Sequence, residues 1–197
     1  DMDNIDASYT TNIPHAVDFF FDLDADKDPT KRCQRRWVSA IGGDGNGFIQ
    51  TSTDVLQSRK LFVWGMGAGG RNWQTFLAQK GCQYLEIQAG LAHTQLEHLP
   101  MEGGATISWL EAYGPISVDP AKAHSKDWVE AYQAVDAELE KACPRDNVEA
   151  LLKRCEEELD GQQGVLHQMG AGWARLEQEA LDDEFNVCGL RFPIKSL

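Results

Sequence analysis

The spacing of apolar residues changes at Pro120, and this change limits the folds that the chain can adopt. Before it, short apolar and aromatic runs alternate with clusters of glycine, a pattern typical of short strands joined by turns. After it, apolar residues recur every three or four positions, which predicts amphipathic helices. The sequence therefore predicts an α+β protein, with residues 1–117 mainly antiparallel β and residues 118–197 a helical extension ending in an extended tail.

Individual elements follow from the same patterns. The predicted strands are Phe19–Leu23, Gly47–Thr51, Lys60–Trp64, Gln83–Gln88 and Ala105–Glu111. A first helix is expected from a Ser125 cap to about Cys143, where Pro144 ends it; its apolar side comprises Trp128, Tyr132, Val135 and Leu139. A second helix is expected to start at a capping box formed by Asp146 and Glu149, and a third over Val165–Leu181.

Composition excludes several classes of function. The net charge of −13 opposes binding to nucleic acid and to anionic membrane surfaces. No apolar run approaches the roughly 20 residues that span a bilayer, and no signal peptide is visible. The five cysteines lack a C-x-x-C pair, which favours reduced thiols and a cytoplasmic location. We predict no metal site and no cofactor. Because the chain begins at Asp1 without Met, we expect it to be a piece of a longer protein.

One motif suggests a dinucleotide site. Gly65, Gly67 and Gly70 have the G-x-G-x-x-G spacing, follow an apolar run, and precede Glu86 by about twenty residues. However, Glu86 lies within its predicted strand, and no further strand–helix alternation follows, as a doubly wound sheet requires. A glycine-rich loop between β elements is the favoured interpretation, and a dinucleotide-binding protein is the remote alternative.

Several segments carry a resemblance to sugar-converting proteins. Gln83–Gln88 resembles the L-E-x-Q strand of aldose-1-epimerases, and Leu99–Gly104 and Thr106–Tyr113 resemble their next turn and closing strand. Longer runs resemble a bacterial family in which a galactose-mutarotase-like domain precedes tetratricopeptide repeats. Those runs are Gly45–Thr53, Lys60–Gly65, Gly69–Trp73, Tyr84–Ala92, Thr94–Pro100 and Trp109–Gly114. The resemblance covers most of residues 9–130. It implies the C-terminal part of a mutarotase-like β-sandwich (a supersandwich), completed by another chain or by a missing N-terminal segment.

The resemblance also implies a sugar site. Glu86 would be the catalytic base of an epimerase, and His98 or His93 is a candidate for the acid. Alternatively, Glu86 and Glu111 would form the carboxylate pair of a glycosidase. The candidate sugar-binding residues are Trp64, Arg71, Trp73, Gln88, Gln95, Glu97 and Trp109. Alternation along the strand places Tyr84, Glu86 and Gln88 on one face. Structural alternatives stay open, since Glu86 could pair with Arg71 and tryptophans more often lie in a core.

Three functions therefore compete. The first is an enzyme that acts on a sugar at the anomeric carbon, as an epimerase or a glycosidase does. The second is a non-catalytic module that binds a sugar or an oligosaccharide. The third is a protein-interaction module that uses the acidic helices, which an exposed apolar patch on residues 125–181 would favour.

Overall fold

The structure is a computed structural model that describes residues 5–21 and 35–159 together with the backbone of residues 186–187 and 190–191. The strands are β1 (Val17–Phe20), β2 (Trp37–Ile41), β3 (Asn46–Ser52), β4 (Ser58–Val63), β5 (Leu85–Gly90), β6 (Glu111–Ser117), β7 (Asn186–Val187) and β8 (Leu190–Arg191). The helices are α1 (Ala68–Leu77), α2 (Pro120–Ala123), α3 (Trp128–Ala142) and α4 (Arg145–Leu159). The predicted helix over Val165–Leu181 lies outside the described residues.

The described part of the chain is a mixed α+β protein with antiparallel sheets, as predicted. The chain divides into two compact units, Asp1–Val148 and Glu149–Leu197. The first unit contains two three-stranded sheets, ordered β1-β4-β5 and β2-β3-β6. We refer to them as the pocket sheet and the platform sheet. In the second unit, β7 pairs antiparallel with β8.

The register of the pocket sheet decides which side chains share a face. On the central strand β4, Lys60 lies opposite Phe20 of β1 and Gln88 of β5. Residues directly opposite each other in an antiparallel pair point to the same side of the sheet. One face is therefore polar and aromatic. The other face carries apolar side chains, among them Val63, which is 1% exposed.

The platform sheet packs one face against helix α3. Ile49 of β3 and Ile116 of β6 form a buried cluster with Val135 and Leu139 of α3. The helix is also tied to the sheet by polar contacts, since the Trp37 indole N–H donates to Asp136 at 3.0 Å. The predicted apolar stripe is thus confirmed at Val135 and Leu139. Residues 118–142, which we assigned to the helical extension, share this core with the strands, and the division between the two units falls after Val148.

Arg59 joins the two sheets. Its side chain is completely buried, and its guanidinium leaves β4 of the pocket sheet to reach the platform sheet. One terminal nitrogen donates to the Arg36 carbonyl at 2.8 Å and to the Ser52 hydroxyl at 2.5 Å. The other donates to the Leu56 and Ser58 carbonyls at 3.1 and 2.8 Å. The two sheets of this unit are therefore connected by charge-assisted hydrogen bonds.

Several described elements differ from the prediction. β1 ends at Phe20 instead of extending to Leu23, and α2 was not predicted. Helix α4 begins at Arg145, so Asp146 lies in its first turn and does not cap it. β2 was not predicted at all. The last strand of the platform sheet, predicted over Ala105–Glu111, is β6 and begins where that prediction ends. Helix α3 is capped by Asp127, whose carboxylate accepts from the Val129 N–H, and not by Ser125. The predicted break at Pro144 is confirmed, because α3 ends at Ala142 and α4 starts at Arg145.

Candidate functional site

A chain of polar contacts crosses the pocket sheet on one face. Lys60 is 8% exposed, and its ammonium donates to Asp18 on β1 at 2.8 Å and to the Gln95 amide oxygen at 2.9 Å. Gln95 in turn donates to the Gln88 side chain on β5 at 2.8 Å. This polar chain fixes the orientation of Lys60, Gln95 and Gln88, so that their remaining donors and acceptors have defined positions.

Aromatic rings continue this face beyond the polar chain. The Lys60 ammonium lies 6.0 and 5.9 Å from the ring centroids of Phe20 and Phe62. Phe62 packs edge-on against Trp64 at 4.9 Å, and Trp64 stacks on Trp73 at 4.9 Å. Trp73, on helix α1, is 48% exposed. A buried charge beside partly exposed aromatic rings is an arrangement that suits ligands with both polar and apolar sides.

A pocket of about 210 Å³ opens next to Lys60. Its lining residues are Phe20, Ser58, Lys60, Gln88, Ala89, Gly90, Leu91, Ala92, Thr94 and Gln95. Sites for drug-sized ligands usually enclose about 300–1,000 Å³. This pocket therefore suits a small ligand, of the size of a single sugar ring, rather than an extended one.

Glu86 lies on the same face but outside the lining of the pocket. It is half-buried, faces Phe62 in the register, and makes no side-chain hydrogen bond within residues 5–21 and 35–159. Within the described residues Glu86 forms no ion pair with Arg71, whose guanidinium donates to the Met66 carbonyl at 2.6 Å. The predicted alternation of Glu86 and Gln88 on one face is confirmed by the register, although Leu85 and Ile87 are half-buried rather than fully buried.

The glycine motif has a packing role. Gly65 has a φ of +72°, and a β-carbon there would lie 2.5 Å from the His15 carbonyl oxygen. The N–H of Gly67 donates to the Pro14 carbonyl at 2.8 Å, and α1 begins at the next residue. The close backbone approach that dinucleotide-binding glycines offer to a pyrophosphate is made here to residues 14–15. The strands that flank α1, β4 and β5, also run antiparallel, whereas a dinucleotide-binding unit is parallel.

A second polar cluster surrounds Glu111 on the platform sheet. Its carboxylate accepts hydrogen bonds from the Gln50 amide at 3.0 Å, the Trp109 indole at 3.2 Å and the Tyr113 hydroxyl at 2.5 Å. The bond from Tyr113 to the carboxylate raises the pKa of this phenol to about 12. Burial lowers the pKa of Arg59 to about 10, while the nearby Glu111 raises it, so Arg59 remains cationic at neutral pH.

The structure brings some predicted site residues together and separates others. Gln88 meets Gln95, Trp64 meets Trp73, and Trp109 meets Glu111. Glu86 and Glu111 belong to different sheets. Glu97 accepts from the backbone N–H of His93 at 3.0 Å, and His98 is exposed.

Sequence reasoning missed Lys60, Asp18, Gln50 and Tyr113. Lysine is rarely buried unless it is paired, so the residue type of Lys60 did not indicate its burial. Its partner Asp18, on another strand, could not be identified without the fold.

Among the described residues, no group of histidine, cysteine or carboxylate side chains is arranged to hold a metal ion. Cys82, Cys143 and Cys155 are free thiols. The described helices are too short or too polar to cross a membrane. Comparison of the chain with protein-family models, with curated proteins and with solved structures gives no match.

Proposed function

We propose that the chain is a carbohydrate-binding protein and that its sugar site is the pocket beside Lys60, together with the aromatic rings that continue the same face of the pocket sheet. The observation that supports this most is the buried ammonium of Lys60, held by Asp18 and Gln95 at the wall of a pocket and flanked by aromatic rings. Sugars need hydrogen-bond donors and acceptors for their hydroxyls and apolar surfaces for their ring faces.

The charge of the pocket favours a neutral sugar. Asp18 already balances the positive charge of Lys60, so an anionic ligand would have to displace it. A hydroxyl group, in contrast, can accept from the ammonium without disturbing that pair, because an ammonium has three donors and contacts with described residues use two of them. The side-chain amides of Gln88 and Gln95 and the hydroxyl of Ser58 supply further polar partners on the same wall.

We interpret the two antiparallel sheets as part of a mutarotase-like sandwich. β1 and β5 form the edges of the pocket sheet, and β2 and β6 those of the platform sheet. Such edges favour pairing with further strands. We propose that a further segment or a second chain supplies those strands.

Catalysis at the anomeric carbon is the second candidate function, and Glu86 favours it. A half-buried carboxylate that is free of hydrogen bonds within the described residues can accept a proton, and it lies two residues from Gln88 on the pocket side of β5. The reaction also needs a group that protonates the ring oxygen. Within the described residues, no ionisable side chain is hydrogen-bonded to Glu86. We therefore propose sugar binding as the main function and catalysis as the second candidate.

Binding is tested with a glycan array, followed by calorimetric titration of the sugars that it identifies. Lys60→Met removes the charge and the donors, and we expect it to lower the affinity by at least about tenfold, the effect of losing a charge-assisted hydrogen bond. Trp73→Ala removes the exposed ring and should weaken binding too. Trp128→Ala is the matched control, because Trp128 is 65% exposed, does not line the pocket, and lies on α3, which packs against the platform sheet. Binding that is unchanged by Lys60→Met would contradict the proposed site.

Turnover is tested separately with Glu86→Gln, which keeps the shape and removes the base. If the protein interconverts anomers through Glu86, polarimetry should show a fall of roughly a hundredfold or more in rate, with binding retained. An unchanged rate in this variant would reject Glu86 as the base.

A further inference from the structure

Three large aromatic side chains lie exposed together on the platform sheet. Phe48 of β3 and Tyr113 of β6 stack with centroids 6.1 Å apart and are 44% and 57% exposed. Trp109, just before β6, is 44% exposed. This cluster shares no residue with the lining of the pocket at Lys60. An exposed aromatic cluster on a rigid sheet is a typical binding surface.

The carboxylate of Glu111 accepts hydrogen bonds from two members of this cluster and fixes their positions. The polar ends of Trp109 and Tyr113 both donate to its carboxylate, at 3.2 and 2.5 Å, so the two rings are anchored at those ends while part of each ring stays in contact with solvent. Gln50, which is completely buried, donates to the same carboxylate at 3.0 Å. Three donors occupy most of the acceptor sites of one carboxylate, which leaves Glu111 poorly suited to act as a base.

The charge at the cluster indicates a neutral ligand. The guanidinium of Arg59 interacts electrostatically with Glu111, so the carboxylate is opposed by a buried cation. With both charges balanced and the polar ends of two rings bonded to Glu111, the surface offers mainly the aromatic rings of three partly exposed side chains. The faces of pyranose rings match such a surface, because their axial C–H groups are apolar while their hydroxyls point to the rim and to water.

We propose that Phe48, Trp109 and Tyr113 form a second sugar-binding surface, an aromatic platform for a neutral polysaccharide, and that Glu111 is a positioning residue of this platform. The inference rests on the proposed carbohydrate function and adds a site of a different kind. The pocket at Lys60 has room for a small ligand. The platform comprises three partly exposed rings on two neighbouring strands and the segment before one of them, so its contact surface extends beyond one ring, which favours a chain of sugars over a single one.

Affinity electrophoresis of the full chain in gels that contain galactomannan, xyloglucan or hydroxyethylcellulose tests the platform. We expect Trp109→Ala and Tyr113→Ala each to weaken retardation by at least about fivefold, as loss of a central aromatic contact does. Trp128→Ala should leave it unchanged. If the wild type is retarded and neither platform variant differs from it, the platform is rejected while carbohydrate binding at Lys60 stands. If the wild type is not retarded and binds no sugar on the array, both proposals fail.

The positioning role of Glu111 has its own readout. Glu111→Gln should return the pKa of Tyr113 from about 12 towards 10.0. The pKa of Tyr113 is obtained from the phenolate absorbance as a function of pH, after subtraction of the same titration of a protein that carries Tyr113→Phe. The same variant should weaken retardation while its circular dichroism spectrum stays that of the wild type. Retardation that persists when the pKa of Tyr113 has fallen would refute the positioning role. As a second variant, Tyr113→Phe keeps the ring and loses the anchor, so we expect weaker retardation than in the wild type and stronger than in Tyr113→Ala.

Discussion

Replacing Arg59 with methionine should destabilise the protein more than any surface change of the same type. The guanidinium makes four hydrogen bonds, to the carbonyls of Arg36, Leu56 and Ser58 and to the hydroxyl of Ser52. A hydrogen bond to a charged group contributes about 1.5–3 kcal/mol, so the four together would contribute roughly 6–12 kcal/mol. This sum is an upper bound, because the four bonds share one guanidinium that has been removed from water only once.

Methionine fills a similar volume but leaves those oxygens without their donor, and it leaves Glu111 without its opposing charge. Breaking a buried charged network in this way typically costs about 3–5 kcal/mol, and we expect the free energy of unfolding to fall by that amount. Urea unfolding, followed by tryptophan fluorescence and circular dichroism, measures it. Arg59→Lys keeps the charge without the planar fork, and its loss should be intermediate.

Arg71→Met is the matched control. Arg71 is an exposed arginine with a hydrogen bond to a neighbouring carbonyl, and its replacement should change stability by less than about 0.5 kcal/mol. A loss below about 1 kcal/mol for Arg59→Met, with the urea dependence unchanged, would refute the view that Arg59 holds the two sheets together.

Further expectations follow from other sites. The pKa of Tyr113 is raised from 10.0 to about 12 in the folded state, so the stability from its bond to Glu111 is complete below pH 10 and is lost as the pH rises to about 12. In urea unfolding at several pH values, Tyr113→Phe should therefore lose less stability over that interval than the wild type. Gly65→Ala should cost at least about 1–3 kcal/mol because its φ is +72°, whereas Gly43→Ala, which meets nothing within 4 Å, should cost far less; thermal melts compare them. Leu139 lies in the core against the platform sheet, and Leu139→Ala should lower the free energy of unfolding in urea by about 2–5 kcal/mol. Leu96 is 86% exposed, so an equal effect of Leu96→Ala would contradict the core assignment.

Sequence patterns predicted the parts of this fold in which local chemistry and tertiary contacts agree. The apolar runs around β3, β4 and β5 are strands, and the three- and four-residue spacing of Val135 and Leu139 marks the buried side of α3. Failures occur where packing overrides local preference. β6 contains Gly114 and Pro115, which disfavour strands, yet it forms as an edge strand, where proline is tolerated.

Helix α1 illustrates the same point. Gly70 weakens a helix locally, but a β-carbon there would lie 2.2 Å from the Trp64 carbonyl oxygen, so only glycine fits. The candidate site was predictable in kind and only partly in arrangement. Gln88, Gln95 and Trp73 were predicted as sugar-binding residues, and Gln88 and Gln95 line the pocket. The polar chain from Lys60 to Asp18, in contrast, depends on β1 pairing with β4 across about forty residues.

The order of the strands along the chain has a consequence for folding. β4 and β5 of the pocket sheet lie, in sequence, between β3 and β6 of the platform sheet, while β2 and β3 lie between β1 and β4. Neither sheet is formed by strands that are consecutive in the sequence, because strands of the other sheet lie between them in the chain. Pairing strands that are distant in sequence requires large loops to close, at a cost in entropy, before the stabilising contacts form. Folding times of roughly milliseconds to seconds are therefore expected. The two sheets should therefore form in one cooperative step.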